Sequence, residues 1–127
     1  MQYGFNKTTN YTFEQAIDKV TEELKKEGFG VLTTIDIKET LKKKIDVDFK
    51  KYTILGACNP KLAHSGLQVE EELGLLLPCN VIVYEKNEKT VVSIFNPRVM
   101  TLVIDNPEMK TVAEEVKNKL QRVLEAL

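Results

Sequence analysis

Val81-Ile82-Val83-Tyr84-Glu85, the polar Lys86-Asn87-Glu88-Lys89 and Thr90-Val91-Val92-Ser93-Ile94-Phe95 read as two strands joined by a short turn. The branched and aromatic residues favour extended chain, and the polar connection suits a hairpin, so these strands pair antiparallel. Working back from it, Tyr52 to Cys58 alternates between two largely apolar sets and gives a third strand. Val31 to Ile35, after Gly30, and Tyr3 to Thr8 supply two more.

The period changes between the strands. Thr12 with Gln15 fits a capping box, and Phe13, Ala16, Ile17, Val20 and Leu24 follow along one helical stripe that Gly28 stops. At the other end of the chain Met109, Val112, Ala113, Val116, Leu120, Val123 and Leu127 mark a long amphipathic helix with a Glu115–Lys119 pair outside. Asp36 with Glu39 caps a shorter helix whose Ile37, Leu41 and Ile45 share a face. Its Lys42, Lys43 and Lys44 complement the helix dipole as solvated lysines.

Asn-Pro occurs at Asn59-Pro60, Asn96-Pro97 and Asn106-Pro107. Each time an acceptor side chain precedes a residue that needs no amide hydrogen, so each dipeptide marks a helix start. The fold class is therefore α+β, two-layer: a five-stranded, largely antiparallel sheet backed by two long helices, with short helices inserted.

Two helices cover one sheet face only. The other carries its own apolar residues in Tyr52–Cys58 and Val81–Phe95, so the short helices and a second copy of the chain are expected to cover it, which makes the protein a homodimer.

With 127 residues, 43% hydrophobic and 29% charged, residues 1–127 read as a single globular domain. Eighteen basic and nineteen acidic side chains leave a formal charge of −1. That balance argues against nucleic acid as a partner. The longest apolar stretch, Leu73 to Tyr84, contains Gly74, Pro78 and Asn80 and falls short of the ~20 residues a membrane-spanning helix needs. The opening MQYGFNKTTN lacks the basic start and apolar run of a secretion signal, so a cytoplasmic location is expected.

Two cysteines carry the chemistry worth weighing. Cys58 ends one strand and Cys79 begins another, so antiparallel pairing of those strands would bring both thiols to one end of the sheet. Cys58 also precedes a helix start, where amides and dipole favour a thiolate, and His64, the only histidine, lies one turn into that helix. Cys58, Cys79 and His64 are candidate ligands for Zn²⁺, and the thiols alone are candidates for dithiol–disulfide cycling. Against both stands the plainer reading of two packed, inert thiols, since free cysteine is often buried as a small hydrophobe and the paired short spacings of zinc sites are missing. Asn59 and Asn80, each next to a cysteine, complete the candidate ligand or thiol site. No cofactor is implied.

Gly28-Phe29-Gly30-Val31-Leu32-Thr33, Ile35-Asp36-Ile37-Lys38, Leu55-Gly56-Ala57-Cys58-Asn59-Pro60 and Leu75-Leu76-Leu77-Pro78-Cys79-Asn80-Val81 occur in that order. Together they resemble the bacterial and archaeal domain-of-unknown-function family numbered 302, over nearly the whole chain. The resemblance implies a compact, dimeric α+β protein and brings no reaction, substrate or catalytic residue. Its motifs fall on Cys58, Asn59, Pro60, Pro78, Cys79 and Asn80, while Ser65-Gly66 departs from the more helical residues expected there, which points to a short helix around His64. Two functions follow: a non-catalytic homodimeric domain that binds a small molecule or a partner protein, or a thiol redox or thiol-dependent enzyme using Cys58 and Cys79, with His64 as proton acceptor. Whether the chain is an enzyme is left open.

Overall fold

A computed structural model describes residues 2–127. Among the described residues there are five strands, β1 (Gly4–Thr9), β2 (Gly30–Asp36), β3 (Tyr52–Cys58), β4 (Cys79–Lys86) and β5 (Lys89–Phe95), and five helices. These are α1 (Phe13–Lys26), α2 (Ile37–Ile45), α3 (Pro60–Val69), α4 (Met100–Val103) and α5 (Pro107–Glu125), with 3-10 turns at Glu71–Leu76 and Pro97–Val99. The sheet order is β1-β5-β4-β3-β2 and every neighbouring pair is antiparallel. The fold is the expected α+β arrangement.

The hairpin is tighter than its polar tetrapeptide suggests. Lys86 pairs with Lys89, and the turn is Asn87-Glu88 alone, both at positive φ (52° and 63°). Two residues in that region match the right-handed twist of the flanking strands, which is why so short a turn closes the ladder.

Helices α1 and α5 lie on one face. Ala16, Val20 and Leu24 of α1 and Val116, Leu120 and Val123 of α5 form one buried cluster with Leu55, Val81, Val83, Val92 and Ile94 of the sheet. A smaller cluster of Leu73, Met100, Met109 and Ala113 continues it toward the Asn-Pro helix starts. Both halves of the Thr12–Gln15 capping box form, and Gly28 takes φ 84° after α1. The expected Glu115–Lys119 pair does not form; Arg122, farther along α5, instead grips the Glu27 carboxylate at 2.9 Å and ties α5 to the end of α1.

α3 is longer than the Ser65-Gly66 pair suggests, because it runs unbroken through both residues. Gly66 is buried, and a Cβ there would stand 2.5 Å from Leu73 Cδ2. The glycine is thus a packing choice that lets the turn after α3 close onto the helix.

α3 and α4 both pack against α5, in the helical layer. α2 meets β2 and β3, and the sheet's other face is left half-buried at its central strands. By register Tyr52 and Ile54 of β3 stand there beside Tyr84 and Ile82 of β4, all half-buried. Tyr52 and Tyr84 stack at 5.5 Å, and the Lys50 ammonium sits 4.9 Å from the Tyr84 ring centre.

Candidate functional site

The phrase Leu55-Gly56-Ala57-Cys58-Asn59-Pro60 runs off the end of β3 into α3. Leu55 and Ala57 point into the core. Between them a Cβ on Gly56 would sit 2.2 Å from Thr33 Oγ1 and 2.8 Å from Pro78 Cγ, so only glycine lets β2 and the approach to β4 close over β3.

Asn59 works in two directions. Its Oδ1 accepts from Leu62 N at 3.2 Å and caps α3, and its Nδ2 donates to the Glu27 carbonyl at 3.2 Å, just past the end of α1. Gly28 leaves room for this, since a Cβ there would lie 3.0 Å from Nδ2. The same device recurs at the other two Asn-Pro sites. Asn96 caps the turn at Pro97 and donates to the Gln2 carbonyl. Asn106 caps α5 and donates to the Val69 carbonyl at the end of α3. Each asparagine starts one helix and binds it to a distant segment.

At this end of the sheet Cys58, Asn59 and Cys79 line a small apolar cavity closed by Phe29, Leu73 and Met100. Its volume is about 30 Å³, room for roughly two waters. In the ladder Cys79 stands opposite Ala57. The alternation of the strand therefore places Cys58 one step from that pair rather than across from it. Both cysteines are free, Cys79 buried and Cys58 half-buried. Burial, and secondarily the neighbouring Cys58, pushes the Cys79 thiol up to about 12. At neutral pH it is a protonated, poorly nucleophilic group.

Two of the sequence candidates lie elsewhere. His64 is exposed on α3 and does not line the cavity. Asn80 is exposed on β4, opposite Gly56. Among the described residues no group of three or more His, Cys, Asp or Glu side chains is placed to hold a metal ion, so the Cys58, Cys79 and His64 set is not assembled. The reason is local: the first turn of α3 directs Leu62 and Ala63 to the cavity and leaves His64 to solvent.

A different feature lacked an obvious signal. α2 buries no residue at all, although Ile37, Leu41 and Ile45 form a stripe. Ile45 is 63% exposed, and Leu32, Ile35, Val47 and Phe49 nearby in the chain are exposed too. Around the helix Lys42 pairs with Asp46 and Asp48, and Lys43 with Glu39. The periodicity of α2 was legible, but which amphipathic stripe lacks a partner depends on the whole fold.

These features define a class: a two-layer α+β protein with an open antiparallel sheet face, an unburied amphipathic helix and a sulfur-bearing apolar cavity too small for a metabolite. The chain belongs to the family Domain of unknown function DUF302, whose model matches residues 5–127. It is similar to the crystal structure of an uncharacterized conserved DUF302 protein from Bacillus stearothermophilus, with a TM-score of 0.93 and 28% sequence identity over 99% of this chain and 98% of that one. Among curated proteins none matches. No helix among the described residues is long and apolar enough to cross a membrane.

Proposed function

We propose that this DUF302 protein is a non-catalytic, homodimeric binding domain of the cytoplasm, which presents α2 and the open sheet face to a second copy. The observation that carries the reading is α2: a helix with an apolar stripe and not one buried residue. Ile37 and Leu41 are half-buried against β2 and β3 and Ile45 is exposed. Most helical stability in proteins comes from packing such a stripe, so a helix of nine residues whose stripe is left half-covered calls for a partner. The half-buried Tyr52, Ile54, Ile82 and Tyr84 extend the same apolar surface across the sheet. Two free thiols suit a reducing compartment.

Light scattering of the wild type and Ile45→Glu tests this. Ile45 is exposed in the single chain, so the substitution leaves the fold intact, and the expected outcome is a dimeric wild type and a monomeric variant. Equal masses for both proteins would refute the use of α2.

The thiol-enzyme reading draws support from Cys58, half-buried at the cavity and one residue before the α3 cap. It is opposed by Cys79, whose protonated thiol is a poor resolving partner. Thiol titration of the native protein at neutral pH separates the two. Packing cysteines label slowly, with Cys79 slower than Cys58, whereas rapid reaction of both would favour the enzyme.

A further inference from the structure

A second exposed apolar patch lies at the end of the sheet opposite α2. α2 leads into the start of β3, whereas the turn Glu71–Leu76 and α4 lie beyond the end of β3 and the start of β4. There Leu75, Leu76, Val103 and Ile104 floor a groove rimmed by Glu72 and Asp105. Leu75 is 83% exposed and Val103 66%. Neither Glu72 nor Asp105 makes an ion pair among the described residues, so both carboxylates are available to a partner.

α2 has the complementary character. On a helix, residues seven apart share a face two turns apart, which puts Lys44 in line with Ile37 and Lys38 in line with Ile45, at the two margins of the stripe. The stripe of Ile37, Leu41 and Ile45, of which Ile37 and Leu41 are half-buried and Ile45 is exposed, is thus flanked by two lysines. Lys38 donates to the Phe49 carbonyl at 2.8 Å, and neither lysine pairs with a carboxylate among the described residues. One chain therefore carries a lysine-flanked apolar ridge at one end and a carboxylate-rimmed apolar groove at the other.

We infer that the occupant of the groove is α2 of a second copy, with Lys38 and Lys44 facing Glu72 and Asp105 and Ile45 seated on Leu75 and Val103. This rests on the homodimer reading above and specifies its contacts. A twofold axis perpendicular to the strands sets each copy's α2 end beside its partner's groove end, so both contacts form at once and the assembly closes at two copies. A single head-to-tail contact would instead leave one ridge and one groove free and grow into open chains.

A charge exchange tests the pairing. Lys38→Glu/Lys44→Glu makes the ridge acidic, and Glu72→Lys/Asp105→Lys makes the groove basic; all four positions are exposed, and far-UV circular dichroism checks that each variant folds. Each variant alone opposes like charges at both contacts and is expected to weaken dimerisation about tenfold or more in sedimentation velocity. An equimolar mixture restores both attractive pairings, so a dimer-sized species should reappear. Variants that dimerise like the wild type overturn the inference and leave the groove to another occupant, while the homodimer reading stands. A mixture that stays monomeric also overturns it. A monomeric wild type overturns the homodimer reading and the inference together. Should a double variant lose its helical spectrum, the single exchanges Lys44→Glu and Glu72→Lys make the same mixture.

Discussion

Replacing Asn59 by Asp separates a structural asparagine from a functional one with a single atom. The aspartate keeps an oxygen to accept from Leu62 N and is as good a helix cap as asparagine. It loses the Nδ2 donor to the Glu27 carbonyl and sets a negative oxygen against it. Losing that hydrogen bond and leaving a part-buried carbonyl unpaired costs about 1–2 kcal/mol. At this chain length the loss lowers the melting temperature by about 4–8 °C. Asn59→Ala removes the cap as well and should cost about 2–3 kcal/mol. Urea unfolding followed by circular dichroism measures both, and the denaturant slope should stay at its wild-type value. An Asn59→Asp protein as stable as wild type would refute the clamp and return Asn59 to the list of residues held for binding.

Glu88→Gly relieves a non-glycine residue at φ 63° in the hairpin turn and should stabilise the protein by about 0.5–1 kcal/mol in urea, an unchanged midpoint counting against the turn geometry. Gly56→Ala forces a methyl group against Thr33 and Pro78 and should destabilise by about 2 kcal/mol or more, and a cost below about 0.5 kcal/mol, the size of an ordinary surface substitution, would contradict that close approach. Cys79 gives a pH signature. Its folded value of about 12 lies above the ordinary 9, so its stabilising contribution is complete below pH 9 and is lost as pH rises toward 12, when the unfolded thiol ionises and the folded one does not. Between those limits wild type should lose about 1.4 kcal/mol per pH unit relative to Cys79→Ala, and parallel stability curves for the two would show that Cys79 is not held neutral.

Much of the architecture was legible because its signals are local. The hairpin, the α1 capping box and the three Asn-Pro caps each state their own conformation within four or five residues. Ser65-Gly66 misled because its reason is a contact with Leu73, which propensity does not contain. The candidate site was half legible. Antiparallel pairing of β3 with β4 does bring Cys58, Asn59 and Cys79 to one cavity. His64 and Asn80 left the set because helix phase and strand alternation, rather than sequence proximity, decide where a side chain points. The second half of Asn59's role was hidden as well, since its partner at Glu27 lies on another element. The groove at Leu75 and Val103 joins two segments distant in sequence and carried no periodic signal.

On this account the phrase Leu-Gly-Ala-Cys-Asn-Pro is architecture: core side chains, a close approach, a half-buried thiol and a clamp. The proposed function rests on the outer surface, in an association of two copies through α2. Sedimentation equilibrium of the unmodified protein at micromolar concentration reads this directly. The account predicts a mass twice the 14.5 kDa of the chain, and a mass that stays at one chain's value across the concentration range would contradict it.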